Sequence, residues 1–301
     1  MYAIALSVAS CLRAQTRVDV AWIVDTHQVD ARDRTDAVAI TPGGGRIGSL
    51  LSGALDGQLI DLASRQSTKG RVVELSVSDV DALVAGLPSG GNARCILIPA
   101  SELPPELWPL LIAREPICLL SRIENDVIAD TRLFTAATIA EASDDAAQRF
   151  ARGVSNAAVI GDTVVTVLWP VPKLVIVGAG ANADALRDAA ALLGWQTVIA
   201  TDANSATGVI AGLSSLDNVV VMVHDLEVAG QALVAALSSD AGYIGALGSH
   251  RMQETRAEWL AYRGYVDLER VHGPAGLDIG AKTPAEIAVS ILAEALGAKK
   301  G

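Results

Sequence analysis

The chain has 301 residues, 51% hydrophobic, 19% charged and only 4% aromatic, and its 23 Lys and Arg against 34 Asp and Glu leave a formal charge of −11. An acidic surface repels phosphate backbones and gains nothing from counterion release, which argues against nucleic acid as a partner. The apolar content argues against a disordered chain, and no apolar run reaches the roughly 18 residues that would span a bilayer.

The length suits two domains. With few aromatics, the apolar weight falls on Ala, Val, Leu and Ile, a composition that suits Val/Ile-rich parallel strands alternating with Ala/Leu-rich helices. The three cysteines, Cys11, Cys95 and Cys118, are odd in number and form no CxxC. Free buried thiols in a reducing cytoplasm are therefore expected, with no disulfide framework and no metal site. Val8-Ala9-Ser10-Cys11 resembles a lipoprotein cleavage site. The first basic residue is Arg13, however, and the apolar stretch is short, so an N-terminal buried helix is the reading taken.

The first 135 residues read as a small mixed domain. A strand is expected over 18–24, then a hairpin of 37–41 with 46–51 across Pro42-Gly43-Gly44-Gly45. Ala54, Leu55, Leu59, Ile60 and Leu62 share one helical face. Further strands are expected over 71–77, 95–98 and 117–121, with Pro104-Pro105, Pro109 and Pro116 marking turns or a short helix start between the last two. Residues 136–172 read as a connector containing a polar helix (139–152) and a strand (163–169). Pro170-Val171-Pro172 then makes a stiff extended hinge.

From residue 173 the pattern becomes a clean β/α alternation. Strands are expected over 174–177, 197–200, 219–223 and 243–246, and helices over 184–193, 231–237 and 251–262. Thr283-Pro284-Ala285-Glu286 is a capping box with proline at the first helical position, and the helix it opens stops at Gly297. Such spacing implies parallel pairing with right-handed crossovers. The fold class is thus α/β: a Rossmann-like parallel sheet with helices on both faces over 173–301, and a smaller mixed α/β domain before it.

Val177-Gly178-Ala179-Gly180-Ala181-Asn182-Ala183 matches GxGxxA after a strand and before a helix. Gly178 would make the turn, Gly180 would let a pyrophosphate approach, and Ala183 would keep helix and strand close, with Ala179 and Asn182 between them. The amide end of the helix favours an anion. The acidic residue for a ribose should end the next strand, and Asp202 stands there, 24 residues after Gly178 and just past Thr201. His224 and Asp225 end another strand, where ligands of open α/β sheets bind. His224 could bond a ligand or move a proton, while Asp225 could equally cap the following helix. Two glycine-dense loops complete the set: Tyr243-Ile244-Gly245-Ala246-Leu247-Gly248-Ser249 and His272-Gly273-Pro274-Ala275-Gly276-Leu277-Asp278-Ile279-Gly280.

Those two runs, with Thr283-Pro284-Ala285-Glu286-Ile287-Ala288, Val177-Gly178-Ala179-Gly180 and Met222-Val223-His224-Asp225, resemble the C-terminal domain of the XdhC/CoxI family over about 173–296. These are accessory proteins for the maturation of xanthine dehydrogenase and related molybdenum hydroxylases. The resemblance implies binding of the molybdenum cofactor (molybdopterin), its protection during sulfuration, and delivery to an apo-hydroxylase of the xanthine or carbon monoxide dehydrogenase type. In the N-terminal half the family turn G-S-x-S-G-G-C-V-E falls on Gly48-Ser49-Leu50-Leu51-Ser52-Gly53-Ala54-Leu55-Asp56, and its L-T-C-G-G on Leu87-Pro88-Ser89-Gly90-Gly91. Alanine and serine replace both cysteines, and neither can offer a thiolate to molybdenum or carry sulfur.

The expected ligand is therefore molybdopterin, held by pterin and phosphate, or NAD(P). Its expected contacts are Gly178, Ala179, Gly180, Asn182, Ala183, Thr201, Asp202, His224, Asp225, Gly245, Leu247, Gly248 and Ser249, with Gly48, Ser49, Ser52 and Gly53 from the other half. No catalytic residue and no metal ligand is assigned, and a homodimer is expected from the frequency of symmetric dimers. Two alternatives stay open. One is an NAD(P)-dependent oxidoreductase with His224 or Tyr243 as proton donor, although no Tyr-x-x-x-Lys pair is present. The other is a nucleotide-binding regulatory protein without chemistry.

Overall fold

The computed structural model describes residues 1–29 and 36–298, and the chain divides into two compact units, Met1–Pro170 and Val171–Gly301. In chain order the first unit contains α1 (Ala5–Arg13), β1 (Asp19–His27), β2 (Ala37–Ile40), β3 (Arg46–Gly48), α2 (Asp56–Ala63), β4 (Arg71–Val77), α3 (Asp79–Val84), β5 (Gly91–Pro99), α4 (Leu107–Ile112), β6 (Ile117–Glu124), β7 (Val127–Thr135), α5 (Asp144–Phe150), β8 (Asn156–Ile160) and β9 (Thr163–Leu168).

Its described strands pair antiparallel in the order β3-β2-β1-β5-β4-β7-β6-β9-β8. The β4–β7 junction is narrow, with Arg71 facing Val127 as its one register pair. The two halves of the sheet bend toward each other there: Trp22 on β1 donates its indole N–H to Thr166 Oγ1 on β9 at 3.1 Å. Alternation on β1 shows why. Val20, Trp22 and Val24 join one core with α1, α4, Ile117 and Leu119, while Ala21 and Ile23 join a second core under α2 and α3.

Of residues 136–172, expected as a connector holding a helix over 139–152 and a strand over 163–169, the stretch to Leu168 supplies α5, β8 and β9, all within the first unit. β9 pairs along β6 from Leu168 opposite Ile117 to Thr163 opposite Arg122. The first unit is accordingly the larger of the two. The boundary itself lies at Pro170–Val171, within the expected proline hinge.

The second unit runs β10 (Lys173–Val177), α6 (Ala181–Leu192), β11 (Gln196–Ala200), α7 (Ala203–Ile210), β12 (Asn218–Val221), α8 (Leu226–Leu237), β13 (Tyr243–Ala246), α9 (His250–Ala261), β14 (Val271–His272) and α10 (Pro284–Ala298). All its described strands are parallel, in the order β11-β10-β12-β13-β14. Val175, Val177, Val219, Val221, Ile244 and Ala246 pack against α7, α8 and α9. Leu174, Ile176, Val220, Met222 and Tyr243 pack against α6 and α10. Both faces are therefore covered, and the buried Val, Leu and Ile side chains contribute about 1.5–3 kcal/mol each relative to exposure. This confirms the Rossmann-like half of the sequence reading. Among the described residues no helix is long and apolar enough to cross a membrane.

Candidate functional site

The strand order of the second unit creates the site. From β10 the chain steps outward to β11, then returns past β10 to β12, so the crossovers leave in opposite directions at the carboxyl ends of β10 and β12. A crevice opens at such a switch point in doubly wound sheets. Here it is a cavity of about 300 Å³ lined by Gly178, Ala179, Ala181, Asn182, Met222, Val223, His224 and Leu247.

Gly178 is needed at the turn. Its φ is +128°, and a Cβ there would lie 3.0 Å from the Val223 nitrogen and 3.3 Å from the Met222 carbonyl carbon. Gly180 (φ +104°) is the N-cap of α6 and brings no side chain to cap it. The first amides of α6 are thus left for water or a ligand, since Asp184 is the first to donate back, to Gly180 O at 3.0 Å. The helices that follow differ: Asp202 caps α7, Asp225 caps α8 and Ser249 caps α9. An anion at α6 would meet a positive dipole end and unsatisfied donors.

Of the residues expected to touch a ligand, Gly178, Ala179, Asn182, His224 and Leu247 line the cavity, and Ala181, Met222 and Val223 join them. Others serve the scaffold. Asp202 accepts from the Ser205 amide at 2.9 Å and from Ser205 Oγ at 2.7 Å, and these bonds hold its carboxyl below the usual range. Thr201 precedes this cap. Asp225 accepts from the Val228 amide at 2.9 Å, so the capping role weighed for it is the one it plays. Ser249 accepts from Met252 N at 3.4 Å, and Gly248 lies under the Met252 side chain. Ala183 is buried against β10. Gly245 leaves room for the Tyr243 ring, since a Cβ there would stand 2.7 Å from Tyr243 Oη.

The second glycine-dense loop is tied to α10. Glu294 Oε2 accepts from Tyr243 Oη at 2.6 Å and from the Gly276 amide at 2.7 Å, while its Oε1 stands 3.4 Å from His272 Nδ1. Gly276 (φ +101°) lies so close to α10 that a Cβ would sit 2.2 Å from Ser290 Oγ, which itself donates to Leu277 O at 2.7 Å. Ala275 N donates to Ala246 O at 3.0 Å, which seats the loop at the same sheet edge as the cavity. Tyr243, considered as a proton donor, is 1% exposed with its hydroxyl engaged by Glu294, so it does not face the cavity. Burial, then the bond to Glu294, raises its phenol well above the ordinary value.

Two groups escaped the sequence reading. Glu294 is one, read only as part of the last helix. The other is Arg256 on α9, 3% exposed, which donates to Leu247 O at 2.8 Å and to Val223 O at 2.9 Å. Both acceptors belong to residues lining the cavity. A lone arginine among polar helix positions (Gln253, Glu254, Thr255, Glu258) carries no periodic signal that would set it apart.

In the first unit, the turn holding Gly48, Ser49, Ser52 and Gly53 is fixed from within. Asp56, 2% exposed, accepts from the Leu50 amide at 3.1 Å and pairs with Arg46. Leu51 and Ser52 both take left-handed backbone (φ +49° and +53°), uncommon for residues with side chains. Cys95 and Cys118 are buried, and desolvation pushes both thiols up to about 12. Among the described residues no group of three His, Cys, Asp or Glu could hold a metal ion.

Residues 174–295 match the family model of the XdhC Rossmann domain. The uncharacterized protein YqeB of Escherichia coli (strain K12) is 29% identical over 148 residues, a match covering 42% of this chain and 27% of YqeB. A crystal structure described as that of a xanthine dehydrogenase from Bacillus halodurans matches with a TM-score of 0.51, covering 98% of this chain and 95% of that one. At 18% identity that likeness shows a shared fold.

Proposed function

Because residues 174–295 match the family model of the XdhC Rossmann domain, we propose that this protein is an XdhC-like accessory protein. It holds a phosphate-bearing cofactor, molybdopterin or NAD(P), in the cavity at the ends of β10 and β12 and assists the maturation of a molybdenum hydroxylase. The observation that carries this reading is the uncapped amide end of α6 opening on a cavity at the switch point. A bound phosphate takes the place of the missing cap. The amides of Ala181, Asn182 and Ala183 donate to it, Asn182 and His224 supply polar side chains, and Met222, Val223 and Leu247 exclude water from the ring.

The donors fit the phosphate end of such a cofactor and not its metal end. Ala54 and Ser89 stand where the family resemblance puts cysteines, and the Cys95 and Cys118 thiols are buried and held protonated. When bound, molybdopterin supplies the dithiolene that carries molybdenum. The chain's own part is to bind, orient and shield. The partner is a hydroxylase of the xanthine or carbon monoxide dehydrogenase type, in keeping with the family whose Rossmann-domain model residues 174–295 match. The capping of α7 by Asp202 favours contact through the phosphate over reading of a ribose.

Thermal unfolding with NAD, NADP and molybdopterin tests the proposal. A ligand at a hundred times its dissociation constant stabilises the folded state by about 2.7 kcal/mol, a shift of several degrees. No stabilisation by any of the three refutes it.

A further inference from the structure

Arg256 is a guanidinium taken out of water without a counter-charge. Its acceptors are Leu247 O, Val223 O and, at 3.3 Å, Gln253 Oε1. Among the described residues no carboxylate pairs with it. Three neutral carbonyl oxygens accept from its two terminal nitrogens and leave its charge standing, and a buried charge is costly unless an opposite one is near. An apolar side chain would fill the buried face of α9 equally well, as Leu260 does one turn later. The charge and the fork shape therefore require their own reason.

Their placement supplies it. β12 ends at Val221 and β13 at Ala246, so Val223 O and Leu247 O lie just beyond the two strands. One planar fork spans both, a geometry that lysine cannot reproduce. Gln253, a turn earlier, donates to Ala246 O at 2.9 Å and to Gly248 O at 3.3 Å and is tied to Arg256. Together they hold the part of the cavity lining that Val223 and Leu247 form.

We propose that Arg256 sets this cavity's preference for anionic ligands and positions its Val223–Leu247 wall, acting through those residues without touching the ligand. This rests on the reading that a phosphate-bearing molecule occupies the cavity. The anion completes the charge balance that the protein leaves open: α6 amides contact it, and the Arg256 field reaches it through the Val223–Leu247 wall.

The test is calorimetric titration of the full chain with inorganic pyrophosphate and with AMP, for the wild type, Arg256→Lys and Arg256→Gln. Arg256→Gln is expected to bind pyrophosphate about tenfold more weakly, the order of one charge–charge interaction across a side-chain layer at an effective dielectric near 20. Arg256→Lys keeps the charge and loses the fork. It should hold pyrophosphate within about threefold of wild type while the AMP-to-pyrophosphate affinity ratio falls roughly fivefold, because the wall against the base is loosened. Wild-type binding of neither probe overturns the proposed function and this inference with it. Binding of both probes by wild type with equal affinities in all three proteins overturns this inference alone. Should Arg256→Gln not fold, Arg256→Lys decides: an unchanged ratio overturns the proposal and a fall in it supports the proposal.

Discussion

Glu294→Leu perturbs the second unit where sequence and structure diverge most. The carboxylate accepts two hydrogen bonds on one oxygen, from Tyr243 Oη and the Gly276 amide. Leucine matches much of the side-chain volume but removes both acceptors. The Tyr243 hydroxyl, in a residue 1% exposed, is then stranded, and the half-buried Gly276 amide is only partly rescued by water. A stranded buried donor costs about 1–3 kcal/mol, so the pair should lose roughly 2–4 kcal/mol. At about 3–5 °C per kcal/mol for a unit of this size, melting falls by on the order of 10 °C. Glu294→Gln should be far milder, about 1 kcal/mol, because its amide oxygen can still accept both bonds and only the charge is lost. Calorimetric or circular-dichroism melts of the three proteins at neutral pH decide the matter. If leucine changes stability by less than about 0.5 kcal/mol, or glutamine costs as much as leucine, the acceptor argument fails.

Gly178→Val forces a Cβ to 3.0 Å from the Val223 nitrogen at φ +128°. It should cost about 1–3 kcal/mol and abolish any cofactor-dependent thermal shift; a variant that keeps the full shift contradicts the assignment of the turn. Of the three cysteines, only half-exposed Cys11 should react with an aromatic disulfide reagent in the folded protein, and all three in denaturant. A second fast thiol before unfolding would show that burial is not protecting Cys95 or Cys118. Burial keeps the phenols of Tyr2 and Tyr243 neutral above the ordinary value of 10.0. The folded state then retains protons that the unfolded chain loses above that value, so stability is intact below pH 10.0 and falls as pH rises past it. Denaturant midpoints measured from neutral to alkaline pH should decline there, and a flat profile would contradict it.

Local features of this chain are those whose physics is local. β10, β12 and β13 are legible because parallel strands covered on both faces read as unbroken apolar runs. The α10 start is legible because a capping box acts within four residues, and Glu286 indeed accepts from the Thr283 and Lys282 amides at 2.9 and 2.7 Å. The GxGxxA turn is legible because its glycines answer to backbone demands that they carry with them. β7 and β14 are not: β7 pairs with β6 across the two-residue turn Asn125-Asp126 but carries Asp130, Thr131 and Arg132 where an apolar run would be read, and β14 has only two residues.

Which residues make the site was not written in any segment. Asp202 and Asp225 look alike as strand-end carboxylates and as helix caps, and only the amides of Ser205 and Val228 in place show them capping. The cavity depends on β12 lying beside β10, and its wall on Arg256 reaching back to two strand ends. The amino-acid order alone settled β10 to β13, the glycine turn and the Rossmann class, because short-range sterics and burial periodicity govern them. Strand order, the partners of Glu294 and the buried charge of Arg256 were decided only by tertiary packing, because contacts between distant residues leave no imprint on local periodicity.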